Sequence, residues 1–368
     1  MAAVGYCYFL AVTAAMCIIV GFLEFSNYSD RSGFDNKQNA AEFHNHLRAF
    51  SNATISKFGL NETSQPTFTN IEKPFVVAKK SETRNEKKSG PRNGKERCGI
   101  TLVTAYFEVR AKYPAGRYKG WIRNLMALDA CFDITTETSW APVFMLGRNP
   151  NRTNLQTVDL DTLAKKLNKS SEFWIHQHEL DGEHHPSFQL YIAWTLKFLL
   201  VPDAAKKDIF WSEYFFWIDA GYLRDSKYNG RALITVPENI EPYMRTTLLC
   251  NIIRPFRDNE LASSFVCSDH IGGGMWGGSA SVVFSFCKEY FRLFEVLQKE
   301  GKFVGKDQCI MNTACVLNKG LCALVKPDRA FGDTWFFLVP LLLGDVKRKD
   351  EDLNSTIKIL GTSRPQIR

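Results

Sequence analysis

The ten cysteines of this chain include no CxxC pair, which removes a zinc knuckle and a thioredoxin-type redox site from consideration. No Gly-Lys-Ser/Thr step follows the glycine-rich run at 272–278, so there is no P-loop for a nucleoside triphosphate. HExxH and G-x-S-x-G are also missing, which leaves zincin and serine-hydrolase chemistry without support. No internal repeat or heptad run is present, so solenoids and coiled coils are excluded. The net charge is +7, but neither zinc-finger spacing nor an RNA-binding aromatic signature accompanies it, and nucleic acid is not expected as a partner. The surplus is local: Lys79 to Arg97 carries eight Lys or Arg against three Glu.

Charge is absent altogether from Ala2 to Phe22, a run of 21 residues. One membrane-spanning helix needs about 20. A cleaved signal peptide has a shorter apolar run, about 7–15 residues, behind a positive segment that is missing here. The reading is therefore a signal-anchor helix over 1–23, with the lipid bilayer as the partner of residues 2–22. Six N-x-S/T triplets follow it, at Asn27, Asn52, Asn61, Asn151, Asn168 and Asn354. As glycosylation acceptors they predict a type II, single-pass protein with its body in the Golgi or endoplasmic reticulum lumen. Residues 24–97 are polar and aperiodic and read as a flexible stem. A folded domain spans 98–345, and a charged tail spans 346–368. Eight cysteines lie beyond the apolar segment; they suit several disulfides in an oxidising lumen or a set of buried free thiols, and spacing does not give their pairing.

What is present over the whole chain is 45% hydrophobic residues with 28 Phe and 8 Trp, ample for a large core. Gly99–Phe107 and Tyr214–Ile218 read as buried strands, and Trp140–Leu146 and Glu172–His178 as further strands. Tyr118–Leu128, Thr157–Leu167 and Phe188–Leu200 read as helices between them. Alternation of this kind points to an α/β fold with βαβ units. Beyond Arg224 the short segments Leu233–Pro237, Leu248–Ile253 and Ser264–Cys267 precede helices over Ser279–Leu297 and Lys306–Leu317. A last strand follows over Leu321–Val325.

The stretch WSEYFFWIDAGYLR, Trp211 to Arg224, places Asp219 at the end of an apolar strand. Ligands of open α/β sheets bind beyond such strand ends, although Asp and Gly also simply begin turns. Five glycines in Gly272–Gly278 predict a loop rather than a strand or helix; with Trp276 in its middle it is either a binding loop or a structural crossover plugged by the indole. Asp307 and Gln308 open a helix, where an acid serves the helix dipole or acts as a general base. His270, beside the glycine run, is a candidate phosphate or metal contact. His176, His178, His184 and His185 lack zinc spacing and read as solvated or capping residues.

VTAYF, YFFWIDAG, GGGMWGG and GKDQ, in that order, resemble the HtrL/YibB-type family over residues 98–345, a family similar to GT-A glycosyltransferases. The resemblance implies a GT-A-like open mixed sheet flanked by helices, behind the anchor and stem. It implies transfer of a sugar from a nucleotide-sugar donor to a hydroxyl of a glycan or glycoconjugate. Thr104, Arg110, Lys197, Asp219 and Gly221 would meet the donor, and Gly273, Gly274 and Trp276 the acceptor. Asp307 would be the base of an inverting route, with Gln308 beside it. Asp219 matches the first acid of a DxD motif, but Gly221 stands where the second belongs, so a requirement for Mn²⁺ or Mg²⁺, with Asp219 and His270 as ligands, stays open. Two other readings stand: a catalytically silent glycan-binding protein, and a hydrolase or phosphotransferase built from Asp219, His270 and Asp307.

Overall fold

The computed structural model describes residues 94–328, 330, 332–346 and 357–359. Eight strands form one sheet: β1 (Ile100–Tyr106), β2 (Cys131–Thr136), β3 (Thr153–Thr157), β4 (Tyr214–Ile218), β5 (Leu248–Ile252), β6 (Ile271–Ser279), β7 (Cys322–Val325) and β8 (Ile357–Ile359). Their order is β3-β2-β1-β4-β6-β5-β7-β8. Pairs β1–β2, β2–β3, β1–β4 and β5–β7 are parallel, whereas β6 runs antiparallel to both its neighbours and β8 antiparallel to β7. The fold is a mixed α/β arrangement with an open, largely parallel sheet flanked by helices.

Strand β4 shows why both faces are covered. Phe215 and Trp217 enter one core cluster, and Tyr214, Phe216 and Ile218 enter the other. Side chains alternate across a strand, so a strand that is apolar at every position must be buried on both sides. The longer helices are α1 (Ala115–Met126), α2 (Ser171–Glu179), α3 (Gln189–Lys207), α4 (Ala280–Lys299) and α5 (Asp307–Leu317). Residues of α3, α4 and α5 pack with Phe215 and Trp217, and those of α1 pack with Tyr214, Phe216 and Ile218.

Several segments differ from expectation. Residues 138–145 form a 3₁₀ turn, Thr138–Trp140, and a short helix, Ala141–Met145, instead of a strand. Pro142 lacks the N–H that a sheet ladder needs but fits a first helical turn. Segment 172–178 is helical within α2, because the Ser170 hydroxyl accepts from Phe173 N–H at 3.3 Å and caps it. Thr157 ends strand β3, and Asp159 caps the short helix Leu160–Ala164 that follows. The sheet also continues past 345, since β8 pairs with β7.

The glycine run is strand β6. Between Cys250 and Ile252, β5 advances two residues while β6 passes five, from Trp276 to Ile271. The triplet Gly272–Gly274 falls in that irregularity, and such bulges re-aim the chain locally. Trp276 is wholly buried and stacks on Phe198, with ring centroids 5.0 Å apart.

Three disulfides join Cys98 to Cys131, Cys267 to Cys309 and Cys315 to Cys322, and Cys250 and Cys287 are buried free thiols. The anchor assignment is corrected. Among the described residues no helix is long and apolar enough to cross a membrane, and the segment 2–22 assigned to that role lies outside them. The lipid bilayer is withdrawn as a partner, and with it the signal-anchor and single-pass lumenal placement.

A Cβ at Gly277 would fall on the Phe215 carbonyl oxygen and the Phe216 backbone of the neighbouring strand. Gly277→Ala is expected to destabilise the fold by about 1–3 kcal/mol or more, read as a lowered midpoint in thermal or denaturant unfolding. An unchanged midpoint would show that β4 and β6 can separate at no cost.

Candidate functional site

Asp219 directly follows β4 and keeps the alternation of Phe215 and Trp217, so it emerges on the face covered by α3. Its N–H donates to the Gly274 carbonyl at 2.8 Å, which extends the β4–β6 pairing by one step. Trp217 Nε1 donates to Asp219 Oδ1 at 2.7 Å. Lys197 reaches the same place from the middle of α3. Its Nζ lies 3.1 Å from Asp219 Oδ1, 2.8 Å from Asp307 Oδ2 and 3.1 Å from the Gly273 carbonyl. An ammonium has three donors, and all three are used here.

Asp307, the first residue of α5, accepts from Gln308 N–H through Oδ1 at 2.8 Å. Both its oxygens are therefore engaged. Gln308 Nε2 donates to the Ile271 carbonyl at 2.6 Å, which ties the start of α5 to the start of β6. The glycines make the assembly possible. A Cβ on Gly273 would lie 2.8 Å from Asp307 Oδ2, and one on Gly274 would lie 3.3 Å from Asp219 Oδ2. Neither glycine has positive φ; what they supply is room for carboxylates against a backbone.

These groups floor a cavity of about 580 Å³, within the range of small-molecule sites. Lys197 is 3% exposed. Burial opposes its charge, but Asp219 and Asp307 outweigh that and hold its pKa above the usual lysine value. The Asp219 side chain has 41% of its surface open to the cavity. It lies deep within the fold, and burial raises its pKa against the opposing pull of Lys197 and the Trp217 N–H. Among the described residues no hydrogen bond reaches Asp219 Oδ2.

A second charged cluster lines the same cavity. Lys306 Nζ pairs with Glu183 at 2.5 Å and Asp269 at 2.9 Å. His185 lines the cavity and is held by buried Asp181, whose Oδ2 accepts from the ring Nδ1 at 2.8 Å and from the Tyr191 hydroxyl at 2.8 Å. Burial pushes Asp181 up, but the N–H groups of His185 and Glu183 and the two side-chain donors hold it at about 2. The rest of the lining is largely aromatic, with Tyr113, Tyr118, Trp121, Trp335 and Phe336, and Arg224 lies over the rings of Tyr113, Trp121 and Phe336.

The cavity thus brings together Lys197, Asp219, Gly221, Gly273, Gly274, Asp307 and Gln308. It does not include Thr104, Arg110, Trp276 or His270. Thr104 is fully buried in β1, and Trp276 is a core residue of the cluster that holds Phe215 and Trp217. His270 is fully buried, with Nδ1 donating to the Arg254 carbonyl at 2.9 Å and Nε2 facing Glu260 at 3.0 Å. A triad of Asp219, His270 and Asp307 does not form in this cavity. Among the acceptor triplets, Asn151 and Asn168 are exposed; Asn27, Asn52, Asn61 and Asn354 lie outside the described residues. Lys112, Tyr113, Trp121, Glu183, His185, Arg224, Asp269 and Lys306 were not singled out as site residues from the sequence. Arg224 closes the WSEYFFWIDAGYLR stretch, and that position was the available signal.

The donor set does not fit a protein-held Mn²⁺ or Mg²⁺. Such ions want several oxygen ligands, yet Lys197 engages Asp219 and Asp307 while Lys306 engages Glu183 and Asp269. Among the described residues the one group close enough to share an ion is Cys250, Cys315 and Cys322, two of which are joined as a disulfide. Comparison with models of known protein families finds no match, and neither does comparison with curated proteins.

Lys197→Met leaves two acids facing each other without a cation and is expected to cost about 3–5 kcal/mol near neutral pH. The loss should shrink as pH falls and the acids take up protons; urea unfolding at two pH values reads both effects, and a pH-independent loss would assign it to packing alone. Asp181 has a depressed folded pKa, so its contribution is present above about pH 4 and is lost as pH falls through about 2. Asp181→Asn is expected to destabilise by about 2 kcal/mol at neutral pH, with the gap to the parent protein closing in acid.

Proposed function

We propose that this chain is a glycosyltransferase-like enzyme of the kind its HtrL/YibB and GT-A resemblance implies, moving a sugar from a nucleotide-sugar donor to a hydroxyl of a glycan or glycoconjugate. One observation carries the reading: Asp219 sits at the carboxyl end of the central strand β4, with Oδ1 held by Trp217 and Lys197 and Oδ2 open to the cavity. Crevices beyond such strand ends are where open α/β sheets bind ligands. A carboxylate with one oxygen fixed and the other free is oriented to accept a proton.

In the proposed step the acceptor oxygen attacks the sugar carbon and forms the new C–O bond. The bond from that carbon to the diphosphate oxygen breaks, and the nucleoside diphosphate leaves with the electron pair. The hydroxyl proton passes to Asp219 Oδ2. Asp307 has no free oxygen, so the base role that the resemblance assigned to it moves to Asp219. Asp307 then acts as a positioning residue through Lys197. Lys197 likewise has no free donor for the diphosphate. The rings of Tyr118, Trp121, Trp335 and Phe336 flank the cavity and suit stacking on a sugar or base while limiting water.

A silent glycan-binding protein is the second reading, favoured by the engagement of both floor carboxylates by one lysine. A panel of nucleotide sugars, read by thermal shift and then by transfer to hydroxyl acceptors, separates the two. One donor should raise the unfolding midpoint, and Asp219→Asn should lower turnover about 10²–10⁴-fold without unfolding the protein. Turnover by Asp219→Asn at the parent rate would sink the assigned role. Stabilisation by glycans but by no nucleotide sugar would put the binding reading in its place.

A further inference from the structure

Three cations surround the ring of Tyr113, and two of them, Lys112 and Arg224, line the cavity with it. Lys112 Nζ lies 5.7 Å, Arg117 Cζ 5.2 Å and Arg224 Cζ 5.5 Å from the centre of Tyr113. Arg224 also lies 4.9 Å from the ring of Trp121 and 4.6 Å from that of Phe336. All three cations are exposed, and among the described residues none makes an ion pair. Asp225 faces Lys227; Asp333, which lines the cavity with Arg224, accepts from the Trp335 N–H at 3.0 Å and forms no ion pair with the three cations.

The cations deeper in the cavity are in the opposite condition. Lys197 and Lys306 each face two carboxylates. The cavity is therefore uneven: its buried lysines each face two acids, and its exposed cations, on an aromatic frame, make no ion pair although Asp333 also lines it. Like charges held together without an acid repel one another, and an anion placed among them relieves that repulsion. The frame also holds the Arg224 guanidinium in place, so that little side-chain freedom is lost when it meets an oxyanion.

We propose that Arg224 and Lys112, with Arg117 beside them on the Tyr113 ring, form an anion site for the diphosphate of the donor, so that the phosphates lie among these exposed cations and the sugar points toward Asp219. This rests on the transfer reading for its orientation but not for the anion site itself. Charge on the leaving diphosphate is then offset by guanidinium and ammonium groups of this chain. Arg110, expected from the sequence to meet the donor, does not line the cavity, and Lys197 has no donor to spare.

The test is calorimetric titration of the full chain with inorganic pyrophosphate, and separately with UDP and GDP, in the presence of EDTA. Pyrophosphate should bind, more weakly as ionic strength rises. Arg224→Gln and Lys112→Glu should each weaken it by about ten-fold or more, whereas Arg110→Gln, outside the cavity, should not. Lys112 is exposed, so its variant keeps the test decisive if loss of Arg224 disturbs the aromatic frame. Absence of pyrophosphate binding to the folded parent protein, or unchanged affinity in both cation variants, overturns the site. If pyrophosphate binds through Arg224 and Lys112 while no nucleotide sugar binds or turns over, the anion site stands and the transfer reading falls. If a nucleotide sugar turns over with parent-like KM in both cation variants, the transfer reading stands and the anion site falls.

Discussion

The buried ammonium of Lys197 is the contact on which the rest of the site depends. It is nearly sealed from solvent, and its three protons go to Asp219, Asp307 and the Gly273 carbonyl. Each partner comes from a different element: the end of β4, the start of α5 and the bulged start of β6. Taking the Lys197 ammonium and the Asp307 carboxylate out of water is costly, and an arrangement of this kind persists only when geometry and hydrogen bonding compensate for it. Here one ammonium neutralises two acids only in part, so the floor of the cavity keeps a net negative charge. That residual charge shapes what the cavity can accept.

Glycine is the second condition. At 273 and 274 the side chains of Asp307 and Asp219 occupy the space where a Cβ would stand, and at 277 the neighbouring strand does so. Regular pairing with β5 is lost across the triplet. The bulge and the missing side chains let a helix terminus and a strand end converge on one lysine. Gly221 serves the opposite wall, where a Cβ would lie 3.1 Å from the rings of Tyr118 and Trp121. The aromatic wall and the acid floor are thus brought close by backbone that carries no side chain of its own.

Charge then runs in one direction along the cavity. Lys197 and Lys306 are buried against acids, and Arg224 and Lys112 are exposed and make no ion pair among the described residues. A donor with a diphosphate at one end and hydroxyls at the other matches that polarity. The aromatic frame serves two purposes there. It offers faces for stacking, and it fixes the guanidinium that would otherwise swing through solvent.

The sequence alone determined the α/β class, because apolar runs such as YFFWI are long enough for a strand buried on both faces and too short for a helix of that character. It also marked Asp219, Gly273, Gly274, Asp307 and Gln308, since an acid at a strand end, clustered glycines and an acid at a helix start are local patterns. Local pattern misled where tertiary contacts competed. GGGMWGG forms a strand because β4 and β5 pair with it on both sides, and Trp276 points into a core instead of a ligand site. His270 had the chemistry of a ligand but not the location, since it packs against Phe256 and faces Arg254 and Glu260. The role of Lys197 was decided only by the folded structure. Its partners stand 22 and 110 residues away in the chain, and no spacing rule spans such distances. Arg224 and Lys112 share that reason: whether a cation is paired or free depends on which acids the fold brings within a few ångströms, and that is a property of three-dimensional packing.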